Sequence, residues 1–495
     1  MIDLTIKEEN LEKSVRRCRE RNIIIPTFEQ MIDPSKTPEV IKKKLRTLGL
    51  WDVEPTNLFR ITWKNEPVEK GGLFGGVNYL ELPPELTGVD ARIMCVVGKW
   101  FPTGAHKVGA SFGCLVPRLV TGQFDPTSQK AVWPSTGNYC RGGAYDSALL
   151  GCESIAILPE GMSKERFDWL KTVAGEVIPT PGTESNVKEI YDKCHELKRE
   201  RGDDICIFNQ FDEMGNHLWH HEVTGRAMEE VLRKEMREGD RFSGLVVTTG
   251  SAGTIAAGDY LKKIYPSSKI AGCEALECPT LIYNGFGAHR IEGIGDKHVP
   301  WVHNVRNTDM IIAVADEDCM RLLRLFNEPA GRKFLAENGV DEGLVNQLGL
   351  LGISGIANLI ASIKFAKYYE LTGKDVVMTV LTDSADMYRS RIRELEEERG
   401  KFTPVDAAWT YAGSIEGLKI DHVDELSYYD RKRIHNLKYY TWVEQQGKTV
   451  DELNRQWYDD SYWDSIIAVR PEIDKLINEF NDRVGLLGKM EAEAK

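Results

Sequence analysis

From residue 130 to about residue 382, short apolar runs alternate with longer amphipathic ones. Lys130–Ser135, Ser154–Leu158, Glu176–Ile178, Ile205–Phe208, Leu245–Thr248 and Val376–Leu381 have the length and composition of buried strands. Between them, 143–150, 164–173, 187–199, 255–264 and 356–369 carry the spacing of helices, with Ser163 placed as an N-cap. Strands and helices alternating at this period predict an α/β fold, a parallel sheet covered by helices.

The two ends break the pattern. Residues 1–80 look helical and then irregular, and WDVEPTNLFRITWKNEPV (51–68) reads as an extended, proline-punctuated connector. Beyond residue 395 charge and aromatics dominate, with Trp409, Trp442, Trp457 and Trp463. That much aromatic surface is costly in water, so the tail is expected to pack on the core or across a subunit interface. Thr449 followed by Glu452 is a capping box for one of its helices. The expected organisation is an N-terminal extension (1–80), a catalytic domain (81–395) and a helical C-terminal extension (396–495).

Composition narrows the function. The chain has 495 residues, 42% hydrophobic and 28% charged, which is the balance of a folded globular protein. Lys and Arg total 63 against 76 Asp and Glu, a net charge of -13, so the average field repels nucleic acid. The opening MIDLTIKEENLEKSVRRCRER lacks the apolar stretch of a secretory signal, and no uncharged apolar run is long enough to span a bilayer. Ten scattered cysteines without a CxxC pair fit buried thiols rather than a disulfide framework or zinc ribbon. A cytoplasmic protein without membrane or nucleic-acid partners is expected.

Three stretches make poor sense as plain structure. PTGAHKVGASFG (102–113) sets Lys107 among small residues, with room for a flat ligand. STGNYCRGG (135–143) crowds hydroxyls, an amide and glycines just after a strand, where an α/β sheet presents its ligand crevice. TTGSAGTIAAG (248–258) puts small residues at a helix N-terminus, whose free amides and dipole favour a phosphate. Other motifs fail: the glycines at 250, 253 and 258 do not have dinucleotide-fold spacing, and Ser135 and Thr136 lack a hydrolase elbow. His217, His220 and His221 lack a distant third ligand, so no metal site is expected.

Together and in order, these stretches resemble the fold-type II pyridoxal-phosphate enzymes, the tryptophan synthase β-like superfamily, and within it the cysteine synthase and cystathionine β-synthase group. The likeness spans about residues 78–393: NYLELPPELTG (78–88), PTGAHK, PEGMSKERFDWLKTVAGEVIPTPG (159–182), NQFDEMGNHLWHHEVTG (209–225), GAHRIEGIGDKHVP (287–300) and MTVLTDSADMYRSR (378–391). It implies two parallel-sheet subdomains, the smaller and mobile one at about 125–225, and pyridoxal 5'-phosphate as cofactor. Lys107 is then expected to bind the cofactor covalently and to move the α-proton. Gly250, Ser251, Ala252, Gly253 and Thr254 match the phosphate cradle, Asn138 the partner of the phenolic oxygen, and Ser384 the partner of the pyridine nitrogen, with Asp383 beside it. Ser135, Thr136, Gly137, Asn138, Tyr139 and Gln210 fall at the substrate's place.

The resemblance implies action on a β-substituted L-amino acid through an aminoacrylate intermediate, with β-replacement first and β-elimination to a keto acid and ammonia second. A catalytically silent subunit on the same fold is the third reading, and a homodimer or higher homo-oligomer is expected. The loop departs from the family at Tyr139-Cys140-Arg141, and Arg141 gains nothing from a helix start. Arg141 then either points to solvent or pairs with a nearby carboxylate, or it stands at the mouth of the site as a substrate-binding residue, where a guanidinium fork would select an anionic substrate.

Overall fold

The computed structural model describes residues 1–66 and 72–493. Pro67 and Val68 of the expected connector lie outside the described residues.

Eleven strands are described: β1 (Tyr79–Leu82), β2 (Arg92–Val97), β3 (Lys130–Pro134), β4 (Ser154–Pro159), β5 (Glu176–Thr180), β6 (Ile205–Ile207), β7 (Arg241–Thr248), β8 (Lys269–Ala275), β9 (Met310–Val314), β10 (Asp375–Leu381) and β11 (Val423–Glu425). They form two sheets, β1-β2-β10-β7-β8-β9-β11 and β5-β4-β3-β6. The smaller sheet is parallel throughout; in the larger, only the outer pairs β1–β2 and β9–β11 run antiparallel. Every residue of β2, β4, β9 and β10 is buried, which is why β4 and β10 read as mainly apolar runs rather than alternating ones.

One boundary moved and one expected cap did not form, each for a physical reason. The helix expected from residue 143 begins at Asn138 (Asn138–Leu149), because its glycines serve packing rather than a turn. A methyl carbon on Gly143 would sit 2.0 Å from the Trp133 ring. Ser163 does precede the Lys164–Val173 helix, but its hydroxyl makes no cap and has no hydrogen-bond partner.

The C-terminal extension is not wholly helical. Its β11 pairs with β9 and so extends the large sheet. Trp442 is fully buried and donates its indole N–H to Val299 O at 2.8 Å. Lys438, also buried, donates to Trp301 O, His303 O and Gln456 Oε1 at 3.0, 2.7 and 2.7 Å. Trp457 is buried as well, whereas Trp409 is 76% exposed. The two extensions also meet: Asp474 accepts from the Phe28 amide at 2.7 Å, and Asn481 from that of Ile25 at 3.0 Å. All ten cysteines are free and nine are buried. Among the described residues no single helix is long and apolar enough to cross a membrane.

Candidate active site

Ser135, Thr248 and Thr382, at the C-terminal ends of β3, β7 and β10, line one space, the place where α/β sheets present their ligand crevice. One cavity lies there. Its lining includes Lys107, Ser135, Thr136, Asn138, Tyr139, Gln210, Gly250, Ser251, Ala252 and Thr254, ten of the residues expected from sequence.

Lys107 begins the Lys107–Val120 helix and its Nζ donates to Ser251 Oγ at 3.1 Å, joining two stretches separated by 144 positions. Burial lowers the lysine pKa to about 8, partly countered by Asp296. Asp296, on the same wall, is pushed up to about 8 by burial, with Lys107 acting the other way. One carboxylate oxygen of Asp296 has no hydrogen-bond partner. His106 is buried, stacked on Trp63 at 5.4 Å, and held neutral by burial and then by Lys107.

The segment after β7 fits a phosphate. Ala252 has φ +59, in the left-handed region, and the Ile255–Ile264 helix starts directly behind it. Among the described residues, no group in the chain accepts from the amides of Gly250 through Thr254. Five free amides at the start of a ten-residue helix form an anion cradle. Asn216 braces it, donating to Ser251 Oγ at 3.0 Å and Gln210 O at 2.9 Å. Across the cavity, Gln210 Nε2 donates to Ser135 Oγ at 3.2 Å, and that oxygen also accepts from the Gly137 amide. Gly137 itself lies behind the loop, against the Arg166 guanidinium.

Ser384 and Arg141 are placed elsewhere. Ser384 is buried outside the cavity lining, its hydroxyl 3.5 Å from Asp386. Its neighbour Asp383 is the group that reaches Asn138, accepting from Nδ2 at 2.7 Å and from Tyr388 OH at 2.7 Å. Arg141 does not stand at the mouth. It is fully buried, with its guanidinium 4.7 Å from the Trp169 ring and 5.5 Å from Trp51. The register of the longer helix turns it onto this aromatic pair, and burial lowers its pKa to about 10. Sequence reasoning passed over His106, Asp296 and Thr382 as wall residues. For Asp296 the signal was present: a carboxylate inside the glycine-rich stretch GIGDKHVP.

Comparison with known proteins identifies the family. Residues 99–339 match the family "Pyridoxal-phosphate dependent enzyme". Cysteine synthase of Staphylococcus aureus is 32% identical over 290 residues, 58% of this chain and 84% of that protein. A probable cysteine synthase of Bacillus subtilis is 30% identical over 294 residues, 58% and 85% of the two chains. The structure of O-acetyl serine sulfhydrylase isoform 3 from Entamoeba histolytica superposes with a TM-score of 0.55 at 22% identity, covering 68% of this chain and 93% of that one. The chain belongs to the pyridoxal-phosphate-dependent enzymes, in their fold-type II group. More narrowly, it is a β-replacing or β-eliminating enzyme related to the cysteine synthases and cystathionine β-synthases, with pyridoxal phosphate as its cofactor.

Proposed function

We propose that the chain performs β-replacement of the cysteine-synthase type on a β-substituted L-amino acid, with Lys107 as the residue that holds the cofactor and handles the proton at the substrate's α-carbon. The observation that carries this reading is the Lys107–Ser251 contact, which brings the one lysine that lines the cavity among the described residues against the anion cradle. When bound, pyridoxal phosphate supplies an electron sink for the charge that develops at the α-carbon.

The chain's own residues do the rest. The amides of residues 250–254 and the Ser251 hydroxyl hold the phosphate. Asn138 orients the ring from the phenolic side, itself tethered to Asp383. Ser135 and Gln210, hydrogen-bonded to each other, line one wall with Thr136 and take the substrate's α-carboxylate. The Lys107 pKa of about 8 makes its amine accessible as a base near neutral pH, which an ordinary lysine near 10.5 is not. Tyr139 closes the substrate side, packed at 5.4 Å against Trp133.

The test supplies O-acetyl-L-serine to the holoenzyme with and without sulfide. Cysteine formed in a sulfide-dependent way is the expected product. Pyruvate and ammonia at the same rate in both cases would establish elimination instead. Borohydride fixing the cofactor on any lysine other than Lys107 would overturn the site assignment.

A further inference from the structure

The HxxHH stretch at 217–221 takes no part in the cavity described above; two of its histidines line a second one. This cavity, about 370 Å³, lies between the Ile255–Ile264 helix, the 304–307 loop and the Tyr462–Ile467 helix of the C-terminal extension. The helix Met214–Trp219 runs on through a π-helical segment, His220–Thr224, and its faces serve different cavities. On one face Asn216 braces Ser251, and the His220 ring meets His106 edge-on at 5.2 Å. His217 and His221, each one position further on, line the second cavity.

The polar groups there define a ligand. His221 Nδ1 lies 2.9 Å from a Glu222 carboxylate oxygen, and its Nε2 has no hydrogen-bond partner. Asn304 gives its amide N–H to Asp259 at 3.0 Å, which leaves its Oδ1 without a partner. His221, Asn304 and Asp259 are all more than nine-tenths buried. This floor is rich in acceptors, though the two imidazoles and Asp259 do not have metal-binding spacing among the described residues. The rim has the opposite character. Among the described residues Lys263 and Arg306 are paired with Asp464 and Asp460 alone, carboxylates 68% and 90% exposed, in solvent-screened pairs that an incoming anion can replace. Trp463 offers an indole beside them.

An acceptor-lined floor under a cationic rim takes an ammonium inward and a carboxylate outward, and an aromatic face adds to the hold on the cation. We propose that this cavity is a second binding site, specific for a free α-amino acid in its zwitterionic form, whose occupancy is felt at the phosphate cradle through Asn216. Asp460, Trp463 and Asp464 lie outside residues 99–339, so the extension, not the family core, completes the site.

The test uses holoenzyme reduced with borohydride, which fixes the cofactor and blocks its exchange with amino acids. Each of the twenty protein amino acids is titrated calorimetrically, and the phosphorus resonance of the cofactor is followed at saturation. At least one amino acid is expected to bind and to shift that resonance. Its decarboxylated amine and its deaminated acid should each bind at least about tenfold more weakly. Lys263→Glu with Arg306→Glu, and separately Trp463→Leu, should weaken binding by a similar factor while leaving the circular dichroism unchanged. Absence of binding by all twenty, equal binding by either half-ligand, or full affinity in both variants would overturn the site. Binding that leaves the phosphorus resonance unmoved would overturn the coupling through Asn216.

Discussion

Replacing Gly253 by alanine places a methyl carbon 2.2 Å from Asn216 Oδ1 and within 2.8 Å of the rest of that amide. Asn216 is fully buried and cannot swing into solvent. To relieve the contact it must give up its bonds to Ser251 Oγ and Gln210 O, at 3.0 and 2.9 Å. Forced overpacking costs about 1–3 kcal/mol in a well-packed interior. The two hydrogen bonds add about 0.5–1.5 kcal/mol each. The overpacking part destabilises the fold as a whole, whereas the hydrogen-bond part, about 1–3 kcal/mol, falls on the cradle that holds the phosphate. Cofactor affinity should therefore fall roughly 5- to 150-fold, a range that follows from the same energies. The assay titrates apoprotein with pyridoxal phosphate and reads the bound cofactor by absorbance, with thermal melting followed in parallel. Adding Asn216→Ala removes the clash but also the brace. The double variant should recover melting temperature relative to Gly253→Ala and still bind the cofactor weakly. Cofactor binding within threefold of the parent in Gly253→Ala would refute the assignment of residues 250–254 as the cradle.

Lys107 is charged in the unfolded chain up to about pH 10.5, but in the fold its proton leaves near pH 8. The unfolded state thus binds more protons between those values, and apoprotein stability should rise with pH across that window. The rate of cofactor capture should rise through pH 8 for the same reason, and a rate that climbs only towards pH 10.5 would contradict the burial argument. Arg141→Met removes a cation with no carboxylate partner among the described residues, so it should lower activity on anionic and neutral β-substituted alanines equally. A selective loss for the anionic substrates, seen by steady-state kinetics, would return Arg141 to the substrate site. Trp442→Ala opens a fully buried site and breaks the bond to Val299 O, a loss of about 3–5 kcal/mol by analogy with other large-to-small changes. Limited proteolysis should release the C-terminal extension faster than from the parent, and unchanged cleavage would show that the docking rests elsewhere.

The alternation of strands and helices was legible because each buried strand of a doubly covered sheet must be apolar along its whole length. β4, β7 and β10, together with the Ile255–Ile264 helix, lie where the pattern put them to within a few residues. The Asn138 helix was misread at its start because glycine carries two meanings along the chain. Gly142 and Gly143 look like a turn, yet they are the contact surface of a helix pressed against Trp133 and Val108. The short β11 was missed because three residues, Val423–Glu425, carry no periodicity of their own and form a strand only by pairing with β9.

Local sequence determined that this protein has a lysine in a small-residue setting, a hydroxyl-rich loop after a strand and a helix start with free amides. Each of these follows from residue type within a dozen positions. Which groups face one another was decided only by the tertiary structure. Ser251 meets Lys107 across 144 positions, and Asp383 reaches Asn138 across 245. Asp383 and Ser384 are immediate neighbours, as are Asn216 and His217, yet the members of each pair point to different surroundings. A helix turns about 100° per residue and a strand end reverses its side chains at each step, so direction is settled by what packs against the backbone. The tail's role has the same origin. Its aromatics announced that it must be buried, but only the packed chain places Trp442 under Val299 and Trp463 beside the histidine face of a helix in the core.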